Sequence, residues 1–184
     1  MRILIACEFS GRVRDAFTRN GWDAMSCDLL PSETEGKHYQ GDVRDVLGDG
    51  WDLMIAHPSC QFLAVSGARW FASRKKEQAE AVEFVLTLAN APIPRIAIEN
   101  PVSVLSTLWR KPDQYIQPYE HGHPETKKTG LWLKNLPPLQ PTNIVAGREP
   151  RVHYESPGPE RWKNRSRTLP GIAEAFASQW GVRR

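Results

Sequence analysis

No apolar run in the 184 residues exceeds a handful of positions, so no segment reads as a membrane span. The opening apolar residues 3–6 stop at Glu8, too soon for a secretory core segment, and the chain is expected to be cytoplasmic. Cysteine is scarce. Cys7, Cys27 and Cys60 are odd in number, widely spaced and lack any C-x-x-C pair, which argues against a disulfide framework or a zinc ribbon. His121 and His123 come without further clear ligands, so no metal site is expected. Repeats and low-complexity tracts are absent.

Charge of neither sign dominates, but it is unevenly placed. The net charge is +3. Residues 1–60 hold 6 Lys/Arg and 10 Asp/Glu, net −4; residues 61–184 hold 18 and 11, net +7. The basic second part suits either a phosphate backbone or plain solvated surface.

What is present is an alternation of strands and helices. Residues 2–6, 23–27, 51–56 and 95–99 read as buried strands, and residues 12–19 as a helix ended by Asn20-Gly21. Ser73 is placed to cap a long helix through 91, whose apolar stripe is Val82, Val85, Leu86 and Ala89. A last capped helix spans 168–180, with Ile172, Phe176 and Trp180 on one face. The alternation predicts a single α/β domain with a mainly parallel sheet and helices on both faces. From 101 to 163 prolines accumulate and periodicity fades, so loops and short strands are expected there, among them 129–133.

The strand ends carry the chemistry. Phe9-Ser10-Gly11 lies in the first strand-to-helix turn, where a glycine and free helix amides would admit a nucleotide-like cofactor. Asp28 ends the next strand, as an acid on ribose hydroxyls would, and Asp42 follows Gly41 at a third strand end. Pro58-Ser59-Cys60-Gln61 follows the fourth strand, and Glu99-Asn100-Pro101 ends the fifth. A thiol and a carboxyl at one sheet edge suit nucleophilic attack on a base with protonation of its ring. Arg69 is a candidate for acidifying the thiol. Lys127 and Lys128, near Trp132, suit phosphate contact with base stacking; the alternative is a turn with Trp132 in the core.

Taken in order, these elements resemble the DNA cytosine-C5 methyltransferases. Phe9-Ser10-Gly11 resembles the family's F-x-G-x-G cofactor loop, with Val13 at the second glycine. Pro58-Ser59-Cys60-Gln61 resembles Pro-Pro-Cys-Gln, and Glu99-Asn100-Pro101 resembles Glu-Asn-Val. Asn164-x-Ser166-x-x-x-Pro170-x-Ile172-Ala173 resembles the last motif, beside the cofactor loop. The resemblance implies a Rossmann-like methyltransferase fold that uses S-adenosylmethionine. Cys60 and Glu99 would be catalytic. Phe9, Ser10, Gly11, Asp28, Asp42, Pro58, Asn164 and Ser166 would hold the cofactor. Gln61, Asn100, Lys127, Lys128, Arg165 and Arg167 would meet DNA. Compact chains of this kind are often phage-encoded.

Two departures stand out. Only about sixty residues separate Glu99 from Asn164, so the Pro-rich stretch 110–163 replaces a full target-recognition domain. The family's Q-x-R-x-R element is not evident, and Arg165 and Arg167 are its candidate stand-ins. Alternatives therefore stay open: the same chemistry on single-stranded DNA, RNA or a free cytidine nucleotide, or a nucleic-acid-binding protein with this fold and no turnover. The oligomeric state is not legible.

Overall fold

The computed structural model describes residues 1–182. Seven strands form one sheet: β1 (Arg2–Ala6), β2 (Asp23–Asp28), β3 (His38–Gln40), β4 (Leu53–Ala56), β5 (Ile96–Pro101), β6 (Gln114–Ile116) and β7 (Thr129–Lys134). Their order is β3-β2-β1-β4-β5-β7-β6. Pairing is parallel from β3 through β5, and β7 runs antiparallel between β5 and β6. The helices are α1 (Arg12–Arg19), α2 (Lys75–Ala89), α3 (Leu105–Leu108), α4 (Arg161–Ser166) and α5 (Pro170–Trp180). The expected α/β architecture is present.

Strand periodicity builds two cores. Ile3, Ile5, Leu53, Ile55 and Ala97 face Val13 and Phe17 of α1 and Phe176 and Trp180 of α5. Leu4, Ala6, Met54, Ala56, Ile96 and Ile98 face the other way, towards Val85 and Leu88 of α2. Central strands buried on both faces must read as continuous apolar runs, which is why β1 and β4 are legible. Val13 is fully buried in the first of these cores, which explains a side chain where the family has glycine.

Several boundaries differ from expectation. Ser73 does not cap α2; it ends a 3-10 segment, Val65–Ser73, and its hydroxyl donates to the Trp70 carbonyl. Helix α2 buries Val85 and Leu88 fully, while Val82, Leu86 and Ala89 are only half-buried. Helix α5 begins at Pro170 without a side-chain cap, because proline supplies the helical φ at its start. Trp51 precedes β4, and its indole donates to the Val46 carbonyl. The Pro-rich stretch contributes two strands to the sheet. Short strands were expected there, and 129–133 falls in β7; the position of the other, β6, was not named, and at three residues on the sheet edge it tolerates nearby prolines. Trp132 is 1% exposed and stacks on Trp109, so it belongs to the core and is no platform for bases.

The chain winds from β1 out through β2 and β3, then returns to β4 and β5 on the other side. The order therefore reverses between β1 and β4, and the crevice outside their carboxyl ends is where such sheets bind ligands. Residues 7–11 follow β1 and residues 57–61 follow β4, so both loops flank that crevice. No helix among the described residues is long and apolar enough to cross a membrane.

Candidate active site

The loop after β1 is closed from within. Gly11 has φ 71°, and a Cβ there would lie 2.2 Å from Thr34 Oγ1. Only glycine fits both the left-handed backbone and the space. The expected free amides of α1 are occupied. Glu8, buried, accepts from the amides of Val13 at 2.7 Å and Arg14 at 3.2 Å, and from the Ser10 hydroxyl at 3.1 Å. A carboxylate at this helix start complements the dipole and leaves no place for a phosphate. Phe9 is buried and meets the Trp162 ring at 5.9 Å.

Arg14 is fully buried. Its guanidinium donates to Ser26 Oγ, Ser32 Oγ, Thr34 Oγ1 and the Glu35 carbonyl, and pairs with Asp15. It ties the 32–35 loop against α1. Asp28 is half-buried, and burial raises its carboxyl above the usual range although the Leu30 amide donates to it. Asp42 caps the turn Val43–Asp45 and is engaged by Arg44, which holds its carboxyl at about 2.

The second loop presents the thiol. Pro58 is buried, and its carbonyl accepts from Asn100 Nδ2 at 3.0 Å, which pins this loop to the end of β5. Cys60 is exposed at the rim, and its carbonyl accepts from the amides of Leu63 and Ala64 in a tight turn. Crowding around the sulfur raises its pKa, Lys127 and Arg165 lower it, and the Glu99 charge raises it. The net direction is upward, opposite to the acidification expected of the thiol. Lys127 and Arg165 act on the sulfur; Arg69 does not and lies over the Trp70 ring.

Glu99 faces the same place. Its side chain is 16% exposed. Burial would raise its carboxyl, but the His57 hydrogen bond, the charges of Lys127 and His57, and the Thr129 hydroxyl outweigh it and bring it to about 2. Nδ1 of His57 lies 2.9 Å from Glu99 Oε2. An ionised carboxylate only accepts, so His57 Nδ1 carries the proton and donates. His57 Nε2 is buried without a partner, and the His57 amide donates to the Ala6 carbonyl, which seats the residue at the reversal point.

The structure thus brings Cys60, Glu99, Asn100, Pro58, Lys127 and Arg165 together. It separates the others. Gln61 is exposed, with its amide 3.4 Å from the Ser59 hydroxyl. Lys128 turns away to lie over Tyr115 at 4.3 Å. Arg167 pairs with Glu33 and lies 5.8 Å from the Phe9 ring, beside the loop after β1. Asn164 donates to Glu155 and accepts from Arg167; the Ser166 hydroxyl donates to the Lys163 carbonyl. His121 and His123 serve structure, bonded to the Thr142 hydroxyl and the Gly171 amide. His57, Glu8 and Arg14 were missed. A histidine beside the Pro58-Ser59-Cys60 turn and an acid just before a helix were the available signals.

These features define an α/β protein with a thiol and a carboxyl close enough to influence each other's charge, beyond β4 and at the end of β5, next to the reversal point of its sheet. No family model matches the chain. No curated protein matches it. Among solved structures, the chain is similar to a protein encoded within an E. coli prophage and proposed to be a DNA modification methyltransferase. That likeness has 15% identity and a TM-score of 0.49, and covers 85% of this chain and 55% of that one. The chain thus spans about half the length of that protein.

Proposed function

We propose that this chain transfers a methyl group from S-adenosylmethionine to C5 of cytosine in DNA, through a covalent Cys60 adduct at C6. The observation that supports the reading is the convergence of Cys60, Glu99 and Lys127, from three separate elements, at the carboxyl ends of β4 and β5, next to the point where the strand order reverses. In this reading residues 110–163 stand where a recognition domain would, and they complete the sheet.

The cofactor side fits the chemistry of that group. The α1 amides are occupied by Glu8, and Asp28 and Asp42 end β2 and precede the next turn. An acidic, amide-poor crevice repels a dinucleotide phosphate and favours a cation carrying an amino group and ribose hydroxyls. Asp28 is placed for the ribose, Phe9 and Gly11 shape the floor, and Arg167 and Asn164 brace Phe9 from α4 and the residue after it. When bound there, S-adenosylmethionine supplies an electrophilic methyl group.

The protein's own groups do the rest. The Cys60 thiolate forms a bond to C6, and the C5–C6 π pair moves to C5, in conjugation through C4 with N3. Glu99 shares with N3 a proton taken up together with the base, and this neutralises the charge that attack creates. A carboxyl held this acidic keeps the shared proton towards N3. Lys127 and Arg165 favour the thiolate over the thiol. The C5 pair forms the bond to the methyl group, whose bond to the sulfonium sulfur would break onto that sulfur; the C5 proton then passes to solvent, the C5–H pair re-forms the C5–C6 double bond, and the S–C6 pair returns to sulfur to regenerate Cys60. In a duplex the base must first leave the stack, at a cost of roughly a few kcal/mol.

The test is transfer of label from methyl-labelled S-adenosylmethionine to DNA. Wild type is expected to label DNA. Cys60→Ser is expected to lose label by about 10⁴-fold while still binding the cofactor. Label carried only by RNA or a free nucleotide moves the substrate, and full activity in Cys60→Ser removes the nucleophile.

A further inference from the structure

Immediately beyond Cys60 lies a cleft that the methyl-transfer reading leaves unused. It is lined by Gln61, Phe62, Gly67, Trp70, Phe71 and Arg74. Half of these belong to the 3-10 segment Val65–Ser73, which buries none of its residues despite an apolar composition. Trp70 is 56% exposed and Val65 49%. Such side chains ordinarily seek cover. The frame beneath them is nevertheless anchored: the Val65 amide donates to the Val102 carbonyl at 3.0 Å, Ala64 bridges Ser103, and Gln78 Nε2 donates to the Phe62 carbonyl at 3.0 Å. The frame is fixed, and the Trp70 ring stands exposed on it.

The charges beside the rings identify an occupant. Residues 61–76 carry Arg69, Arg74, Lys75 and Lys76 and no acid. The Arg69 guanidinium lies 5.1 Å from the Trp70 ring centroid and that of Arg74 5.6 Å from Phe62. Neither arginine has a carboxylate partner among the described residues. Aromatic faces flanked by free guanidinium groups match the two surfaces of a nucleotide, a flat base and an anionic phosphate. The Gln61 amide, at the mouth, offers a donor and an acceptor to a base edge.

We infer that this cleft seats an unpaired nucleobase next to the target cytosine, making single-stranded DNA the preferred partner. A base can enter a cleft lined by Trp70 and Phe62 only when it is out of a stack. A single strand meets that condition at little cost, whereas a duplex must break a second pair beside the flipped target. The site explains how a chain with no large recognition domain holds its substrate: ring stacking and phosphate contact bind any sequence. This inference rests on Cys60 being the residue that meets a base, and its test must not depend on turnover.

The probe is a fluorescently labelled oligothymidine of about a dozen nucleotides, which contains no cytosine and reports binding without methyl transfer. Anisotropy titration at fixed salt is expected to show wild type binding this strand more tightly than the same length of duplex, with quenching of tryptophan emission. Trp70→Ala is expected to weaken binding about tenfold, the range of one base–ring stack, and Trp70→Phe to retain most of it. Because Trp70 is exposed, thermal melting should be unchanged, which separates loss of binding from loss of folding. Equal binding by Trp70→Ala and wild type overturns the proposal, as does tighter binding of duplex. A concentration-dependent dimer that Trp70→Ala abolishes also overturns it, in favour of a second copy as the occupant. If oligothymidine binds through Trp70 yet Cys60→Ser still transfers methyl groups, the cleft stands and the nucleophile assignment falls.

Discussion

The loops after β1 and β4 flank the same crevice and are built in opposite ways. The first, residues 7–11, is filled by its own polar groups: Glu8 and Ser10 are buried and bonded, and Gly11 touches the 32–36 loop held by Arg14. The second, residues 57–73, is open. Cys60 is exposed, the Val65–Ser73 segment buries nothing, and His57 Nε2 has no partner. One side is filled by the chain's own groups; the other leaves its groups exposed. Under the proposed function, the closed side would meet a cofactor of constant shape and the open side a polymer of variable sequence. Preorganisation lowers the cost of binding only where the ligand never changes.

Breaking the closed side should cost the most. Arg14→Ala strands the polar groups of residues 26–35 and leaves Asp15 short of a partner. It is expected to lower stability by about 3–5 kcal/mol, read from chemical denaturation. A loss below about 1 kcal/mol would mean that the loop is not held by this guanidinium, and the contrast between the loops would weaken.

A change on the open side should spare the fold and alter the chemistry. Removing the charged hydrogen bond in His57→Phe is expected to slow labelled transfer about 10–100-fold. It should also shift the Glu99 carboxyl, followed by carbon NMR. In wild type the folded value of about 2 lies below the unfolded value of about 4.3, so Glu99 adds stability above pH 4.3 that is lost as pH falls through 2. Without His57, burial prevails and the carboxyl rises. The contribution then reverses, costing stability at neutral pH and recovering it in acid. A Glu99 value that stays at about 2 would assign the shift to Lys127 and Thr129 instead.

The parts legible in the sequence are those fixed by local pattern. The apolar runs of β1 and β4 and the i, i+3, i+4 face of α1 required no knowledge of distant partners. The grouping of Cys60 with Glu99 was legible only because both end strands that parallel pairing brings into register through Ala56 and Ile98. What escaped depends on side chains that meet across long separations. His57 and Glu99 are 42 residues apart, and Arg14 meets Glu35 across 21. Lys127 and Lys128 were treated as a pair, but they precede β7, where neighbouring side chains alternate, and only Lys127 reaches the site. Trp132, read as a platform or as core, is core because residues 98 and 132 pair across β5 and β7.

The central claim is covalent attack by Cys60 at C6. Its most direct test is incubation with S-adenosylmethionine and DNA in which cytosine is replaced by 5-fluorocytosine, followed by denaturing electrophoresis and peptide mapping. Fluorine cannot leave C5 as a proton does, so the S–C6 bond should persist, giving a denaturation-stable complex mapped to Cys60. An enzyme that labels ordinary DNA yet forms no such complex, or forms one at another residue, would contradict the account.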